Sequence, residues 1–251
     1  MKKNICISAV LVTISSICMA EDNKQLPFPG TVTGNVGVLS SYDLRGMTNS
    51  PENDKATVQA GLEYSHPTGF YLGYWGSTLG YSLKDYDTAT KKYTGSNSFE
   101  NDFSIGYRGK INEDLGYTVG GTYYYYAQSD AKSDFFETLL GVNYKRLALT
   151  AQTATKNSST TNKGDTYLLA AYSHPLPSEF TANVAVGAYY YDKDKNLTTT
   201  EDFTFRHLNL GLSHPLGTTG ANMSLDFIVG GYDREDKKQK NKVVAGLKYT
   251  F

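Results

Sequence analysis

The closing stretch VVAGLKYTF puts Val243, Ala245, Leu247, Tyr249 and Phe251 on one side of an extended chain and Val244, Gly246, Lys248 and Thr250 on the other. Alternation with period two marks a strand with unlike faces. It recurs along the chain. In ANMSLDFIVGGY, Met223, Leu225, Phe227 and Val229 alternate with Asn222, Ser224, Asp226 and Ile228, and FTANVAVGAYYY repeats the pattern from Phe180 to Tyr190. Upstream, Val32, Val36 and Val38 mark a first strand, Val58, Ala60, Leu62 and Tyr64 a second, and Phe70, Leu72 and Tyr74 a third. Phe103 to Tyr107, Tyr117 to Tyr125 and Phe136 to Tyr144 carry three more, and Leu147 with Leu149 a weakly patterned seventh. The segment DTYLLAAYSH is ambiguous in phase because Leu168 and Leu169 are adjacent. Phe203 and Phe205 fall out of step with Leu208, Leu210 and Leu212, which predicts a bulge near Arg206 and His207. The expected total is twelve strands.

Their connections alternate in length. Tight links (HPTG, NEDL, LPSE, LGTTG) are interleaved with long polar ones such as YDLRGMTNSPEND and LKDYDTATKKYTGSN. Short turns on one side and long loops on the other are the arrangement of bacterial outer-membrane barrels. The faces opposite the apolar ones are too polar and glycine-rich to pack under a second sheet, so the apolar faces are expected to meet lipid. In hydrocarbon an unpaired backbone amide costs several kcal/mol, so such a sheet must close on itself. The expectation is therefore all-β: a closed antiparallel transmembrane β-barrel of about 12 strands, with short periplasmic turns and longer extracellular loops. Tyrosine, present 21 times, clusters near the ends of these strands, as at Tyr123 to Tyr126 and Tyr189 to Tyr191, where aromatic girdles are expected.

The first residues, MKKNICISAVLVTISSICMA, read as a secretory signal peptide over 1–20, followed by a short periplasmic segment over 21–30 and the barrel over 31–251. Cys6 and Cys18 both lie in the first of these, so no disulfide is expected in the exported chain. Removal of Lys2 and Lys3 from the 24 basic residues leaves 22 against 25 acidic ones. A net charge near −3 argues against nucleic acid or anionic lipid as an electrostatic partner.

Three of the four histidines stand in a repeated SHP triplet, at His66, His174 and His214. Proline fixes φ for a turn and forces the residue before it to be extended. The triplets thus punctuate strand ends, and neither a metal site nor any other cofactor is expected from them.

The segment from Asn35 to Ser77, with its Arg45-Gly46 pair, its HPTGFY turn and Gly73-Tyr74-Trp75-Gly76, resembles the TorF family of bacterial porins, and the closing GLKYTF matches as well. That resemblance implies an outer-membrane barrel of porin type without catalytic residues to carry over. The terminal aromatic Phe251 resembles the signal read by the barrel insertion machinery, which makes that machinery and outer-membrane lipid the expected partners.

Function follows from the enclosed face. Twelve strands lie between the eight that side chains can fill and the sixteen that leave a wide pore, so a narrow lumen for passive diffusion of small hydrophilic solutes is expected. Strand parity sends Gln59, Glu63, Trp75, Arg108, Glu137, Asn143, Lys145, Asp226 and Lys248 inward as pore-lining residues. Their mixture of signs predicts weak ion selectivity. The alternatives are a barrel whose lumen is closed by these residues, an adhesin acting through the 83–97 loop, and an outer-membrane hydrolase built on His207 with Glu201 and Asp202 upstream. No catalytic residue is assigned, and the oligomeric state is left open.

Overall fold

In the computed structural model, residues 28–48, 52–90, 92–193 and 196–251 are described. The signal peptide expected over 1–20 and most of the segment over 21–30 lie outside them. Twelve long strands form the barrel: β1 (Thr31–Leu39), β2 (Thr57–Ser65), β3 (Phe70–Leu79), β6 (Ser98–Lys110), β7 (Leu115–Ala127), β8 (Phe135–Tyr144), β9 (Leu147–Ala154), β10 (Thr166–Pro175), β11 (Thr181–Tyr190), β12 (Phe203–Pro215), β13 (Ala221–Gly230) and β14 (Lys242–Thr250). A two-stranded ribbon, β4 (Tyr86–Asp87) and β5 (Lys92–Tyr93), caps the loop between β3 and β6. Each long strand pairs antiparallel with its neighbour in sequence, and β1 pairs with β14 to close the ring. Among the described residues the barrel sheet has no open edge, which is the condition for a sheet to stand in hydrocarbon.

The side-chain period places the apolar residues outside. Val36, Val58, Leu72, Ile105, Val119, Leu140, Leu210 and Leu225 are all exposed on the outer wall. Such a surface in water would be a large unpartnered patch, and in a bilayer it is the lipid face. The ambiguous strand β10 resolves by the same parity, with Leu168 outside and Leu169 buried inside. In the tyrosine runs only alternate rings face out: Tyr123, Tyr125 and Tyr190 are exposed, whereas Tyr124, Tyr126 and Tyr191 are buried. The expected outer girdle at the loop end therefore holds three of those seven rings, and the other four, Tyr189 included, face the interior.

All tight turns lie at one end. The link between β8 and β9 is two residues, with Lys145 at φ 55°, a left-handed conformation that closes the reversal. The predicted bulge is present: Gly187 pairs with His207 and Ala188 with Phe205, so Arg206 is the extra residue of β12. An extra residue breaks the alternation, and Arg206 and His207 are both buried inside the barrel.

Candidate functional site: a lumen stoppered from the loop end

The loop between β1 and β2 does not stand out from the barrel but folds into it. Tyr42, Asp43 and Arg45 are each no more than 7% exposed. Arg45 reaches across the lumen to four strands. Its Nη1 and Nη2 donate to Glu137 Oε1 and Oε2 on β8 at 2.9 and 2.6 Å, a bidentate pair. Nη1 also donates to Tyr189 Oη at 2.8 Å and Nη2 to Tyr124 Oη at 3.1 Å, while the guanidinium lies 4.6 Å from the ring centre of Tyr167. Glu137 is further held by Gln152 Nε2 at 3.3 Å.

The bulge in β12 secures the backbone of this stopper. Arg206 Nε donates to the carbonyl of Arg45 at 2.9 Å, and Thr48 N donates to Gln239 Oε1 at 2.8 Å. Arg45 and Gly46 both adopt positive φ, 51° and 71°. A Cβ at position 46 would lie 2.8 Å from His207 Cβ, so glycine is what lets the loop approach β12 so closely. Asp43 Oδ2 accepts from the Gly46 amide at 3.0 Å. Burial raises the Asp43 carboxyl above its ordinary value, and that hydrogen bond partly offsets the rise.

Below the stopper lies a cavity of about 540 Å³. It extends from Tyr42, Asp43, Asp102 and Gln152 at the stoppered end to Asn112, Glu113, Asp114 and Lys145 at the turns. Of the residues expected inside, Gln59, Trp75, Arg108, Asn143, Lys145, Asp226 and Lys248 line this cavity. Glu63 stands behind Arg108, accepting from Nη1 and Nη2 at 2.6 and 2.8 Å, and Arg108 covers the Tyr71 ring at 3.9 Å. Glu137 is the member that the stopper takes up. Lys145 sits at the mouth, with its side chain well exposed and 3.5 Å from Asp114. Trp75 packs on Tyr42 with ring centres 5.6 Å apart.

The histidines divide as their positions suggest. His66 and His214 are half-buried at the turns, bonded to Thr68 Oγ1 and to the Ser178 carbonyl, and His174 is exposed. Among the described residues no group of three His, Cys, Asp or Glu side chains is placed to hold a metal ion. His207 is 2% exposed. Its Nδ1 donates to Asn209 Oδ1 at 2.8 Å, which leaves Nε2 to accept from the Tyr167 phenol at 2.7 Å. The group it faces is thus a phenol under Arg45 rather than a serine, and Asp202 is paired with Lys193 in an outer loop. The 83–97 loop carries the small β4–β5 ribbon, with the Tyr86 and Tyr93 rings 5.0 Å apart.

Residues 24–251 match the family model described as a bacterial protein of unknown function, Gcw_chp. The chain belongs to that family. No sequence among functionally curated proteins matches this Gcw_chp member. Among solved structures it is similar to the KdgM porin, at TM-score 0.56 and 9% identity over 87% of this chain and 99% of that one. A KdgM porin in complex with disordered oligogalacturonate matches at TM-score 0.51 and 8% identity, over 88% and 99% of the two chains. Outer membrane phospholipase A from Escherichia coli matches at 0.46 and 13% identity, over 86% and 92%. At these identities the two porin matches establish a shared fold: this Gcw_chp protein is a twelve-stranded barrel of the outer-membrane porin type.

Proposed function

We propose that the protein is a channel of the Gram-negative outer membrane for passive diffusion of small hydrophilic solutes, exported through its 1–20 segment and closed at the loop end by residues 41–48. The observation that carries this reading is the cavity beneath the stopper, which runs to the turn end of the barrel. Its lining mixes charged side chains of both signs and amides with aromatic and aliphatic residues, while the outer wall is apolar. A structural barrel filled for stability alone gains nothing from a hollow of that size, since unfilled volume forfeits packing. Gln59, Trp75, Arg108, Asn143, Asp226 and Lys248 are the residues assigned to the solute path, with Lys145 at its mouth. The family shown for the chain is Gcw_chp rather than TorF, and of the motifs that carry the TorF resemblance the Arg45-Gly46 pair lies in the stopper. In the proposed orientation the turns face the periplasm and the stopper faces outward.

The reading is tested by planar-bilayer recording of the refolded protein and of Arg45→Ala. Single-channel steps in the variant, with rare or small steps in the parent, are expected. An absence of steps in both at every voltage rejects the channel. A hydrolase on His207 is disfavoured by its enclosure: substrate has no approach to a ring covered by Gly46 and bonded at both nitrogens.

A further inference from the structure

The stoppered end of the cavity contains more buried carboxylate than buried cation. Glu100, Asp102 and Glu137 are between 0% and 4% exposed, and the guanidinium that reaches them, Arg45, is committed to Glu137 through both of its terminal nitrogens. Glu100 Oε1 accepts from the Tyr126 phenol at 3.2 Å. Asp102 Oδ1 is buried without any hydrogen-bond partner, although the residue borders the cavity. Four more oxygens on residues that border the same cavity share that condition: the acceptors Asp43 Oδ1 and Gln152 Oε1, and the hydroxyls of Tyr42 and Thr150. A buried acceptor without a donor costs about 1–3 kcal/mol, and more when it is charged. Three such acceptors, on Asp43, Asp102 and Gln152, belong to residues that border one hollow, an arrangement that a ligand rich in N–H donors would complete.

The surrounding side chains narrow the chemistry. In the strand register Asp102 pairs with Trp75 on one side and with Tyr124 on the other. Directly paired residues hold their Cβ atoms about 5 Å apart on one face, so this carboxylate stands in a row between two aromatic rings. Tyr42 adds a third ring, packed on Trp75. Carboxylate and amide oxygens framed by aromatic faces favour a cation with several short donors, held by hydrogen bonds and by the ring quadrupoles. A divalent metal fits less well, since the described residues offer no three-carboxylate or histidine group for one.

We propose that Asp43, Asp102 and Gln152, walled by Tyr42, Trp75 and Tyr124, form a subsite for the primary ammonium group of a small hydrophilic solute. This deepens the channel reading and rests on it, because it names the class of solute that the lumen would retain beneath the stopper. An ammonium carries three donors for the oxygens of Asp43, Asp102 and Gln152. It would also balance the excess carboxylate that Arg45 leaves uncompensated.

Trp75 is the single tryptophan of the chain, so its emission reports on this end of the cavity directly. The experiment titrates the refolded full chain in detergent with butylammonium, butanol and butyrate at constant ionic strength. Saturable change in Trp75 emission is expected with butylammonium alone. The apparent affinity should fall at least tenfold in Asp102→Asn, and also in Asp43→Asn, whose change lies in the loop and leaves the barrel strands intact. No saturable response in the parent, an equal response to butanol, or unchanged affinity in both variants would overturn the proposal. Conductance is recorded on the same preparations. Binding with no conductance in either the parent or Arg45→Ala rejects the channel and keeps the subsite, whereas conductance without binding rejects the subsite and keeps the channel.

Discussion

Replacing Arg45 by alanine removes one partner of a buried bidentate pair and strands Glu137, 3% exposed, without its cation. Breaking a buried pair from one side costs about 3–5 kcal/mol, because the remaining charge stays desolvated. This penalty falls on the docked loop alone: once residues 41–48 leave the lumen, water reaches Glu137. At about 1.4 kcal/mol per factor of ten, the ratio of open to closed loop should rise between about a hundredfold and a few thousandfold. Full release is not expected, since the hydrogen bonds from Arg206 to the Arg45 carbonyl and from Thr48 N to Gln239 are made by groups that the substitution leaves in place. The assay is maleimide labelling at Ser41→Cys, a buried position, in a background with Cys6 and Cys18 replaced by alanine. Labelling at equilibrium opening should accelerate by the same factor, with single-channel openings rising in parallel. The double variant Arg45→Met with Glu137→Met, which exchanges a charged pair for an apolar one, should label within about tenfold of the parent. Parental labelling and parental conductance in Arg45→Ala would refute the claim that this ion pair holds the lumen shut.

Three further outcomes are expected. Leu225→Arg places a charge at an exposed position in the middle of β13, and urea titration of folding into lipid vesicles should show a loss of about 2–4 kcal/mol, as for arginine near the bilayer midplane; an unchanged midpoint would mean that this wall does not face acyl chains. Gly46→Ala forces a methyl against His207 at a position with φ 71°, so the docked loop should lose about 1–3 kcal/mol, read as faster Ser41→Cys labelling with the barrel still folded. His207→Ala should leave lipase and protease readings equal to the parent while lowering thermal stability through loss of the Tyr167 hydrogen bond, and a hydrolytic activity abolished by this change would reinstate the enzyme reading.

The barrel was legible because a strand's side chains alternate strictly, so the pattern Val58, Ala60, Leu62, Tyr64 states both its element and its facing. Even the irregularity at Arg206 could be read, since an extra residue shifts the phase of Phe203 and Phe205 against Leu208. The stopper was not legible by the same means. A loop that crosses a lumen has no period, and YDLRG reads as an ordinary polar link. Parity sends Glu137 inward, where it is buried under the stopper, but its partner lies 92 residues earlier and on no strand. The tyrosine runs misled in a specific way: Tyr124 and Tyr126 belong to the interior because a strand sends alternate residues of any run to opposite faces. Strand parity pointed to the cavity wall, whereas the signal for the stopper was the Arg45-Gly46 pair, which stands out through resemblance rather than through chemistry.

The junction of β1 with β14 has consequences for assembly. It joins five residue pairs, from Asn35 with Thr250 to Leu39 with Gly246, whereas β1 meets β2 over nine. Partners more than two hundred positions apart must find each other there, an entropic cost of about 5 kcal/mol for a flexible chain of that length. This junction is therefore expected to zip last during maturation, which pulse-labelled exchange of the Asn35 to Leu39 amides would check. A proteolytic nick that removes Gly246 to Thr250 would leave a folded sheet with two sticky margins, prepared to annex a neighbouring molecule instead of completing its own cylinder.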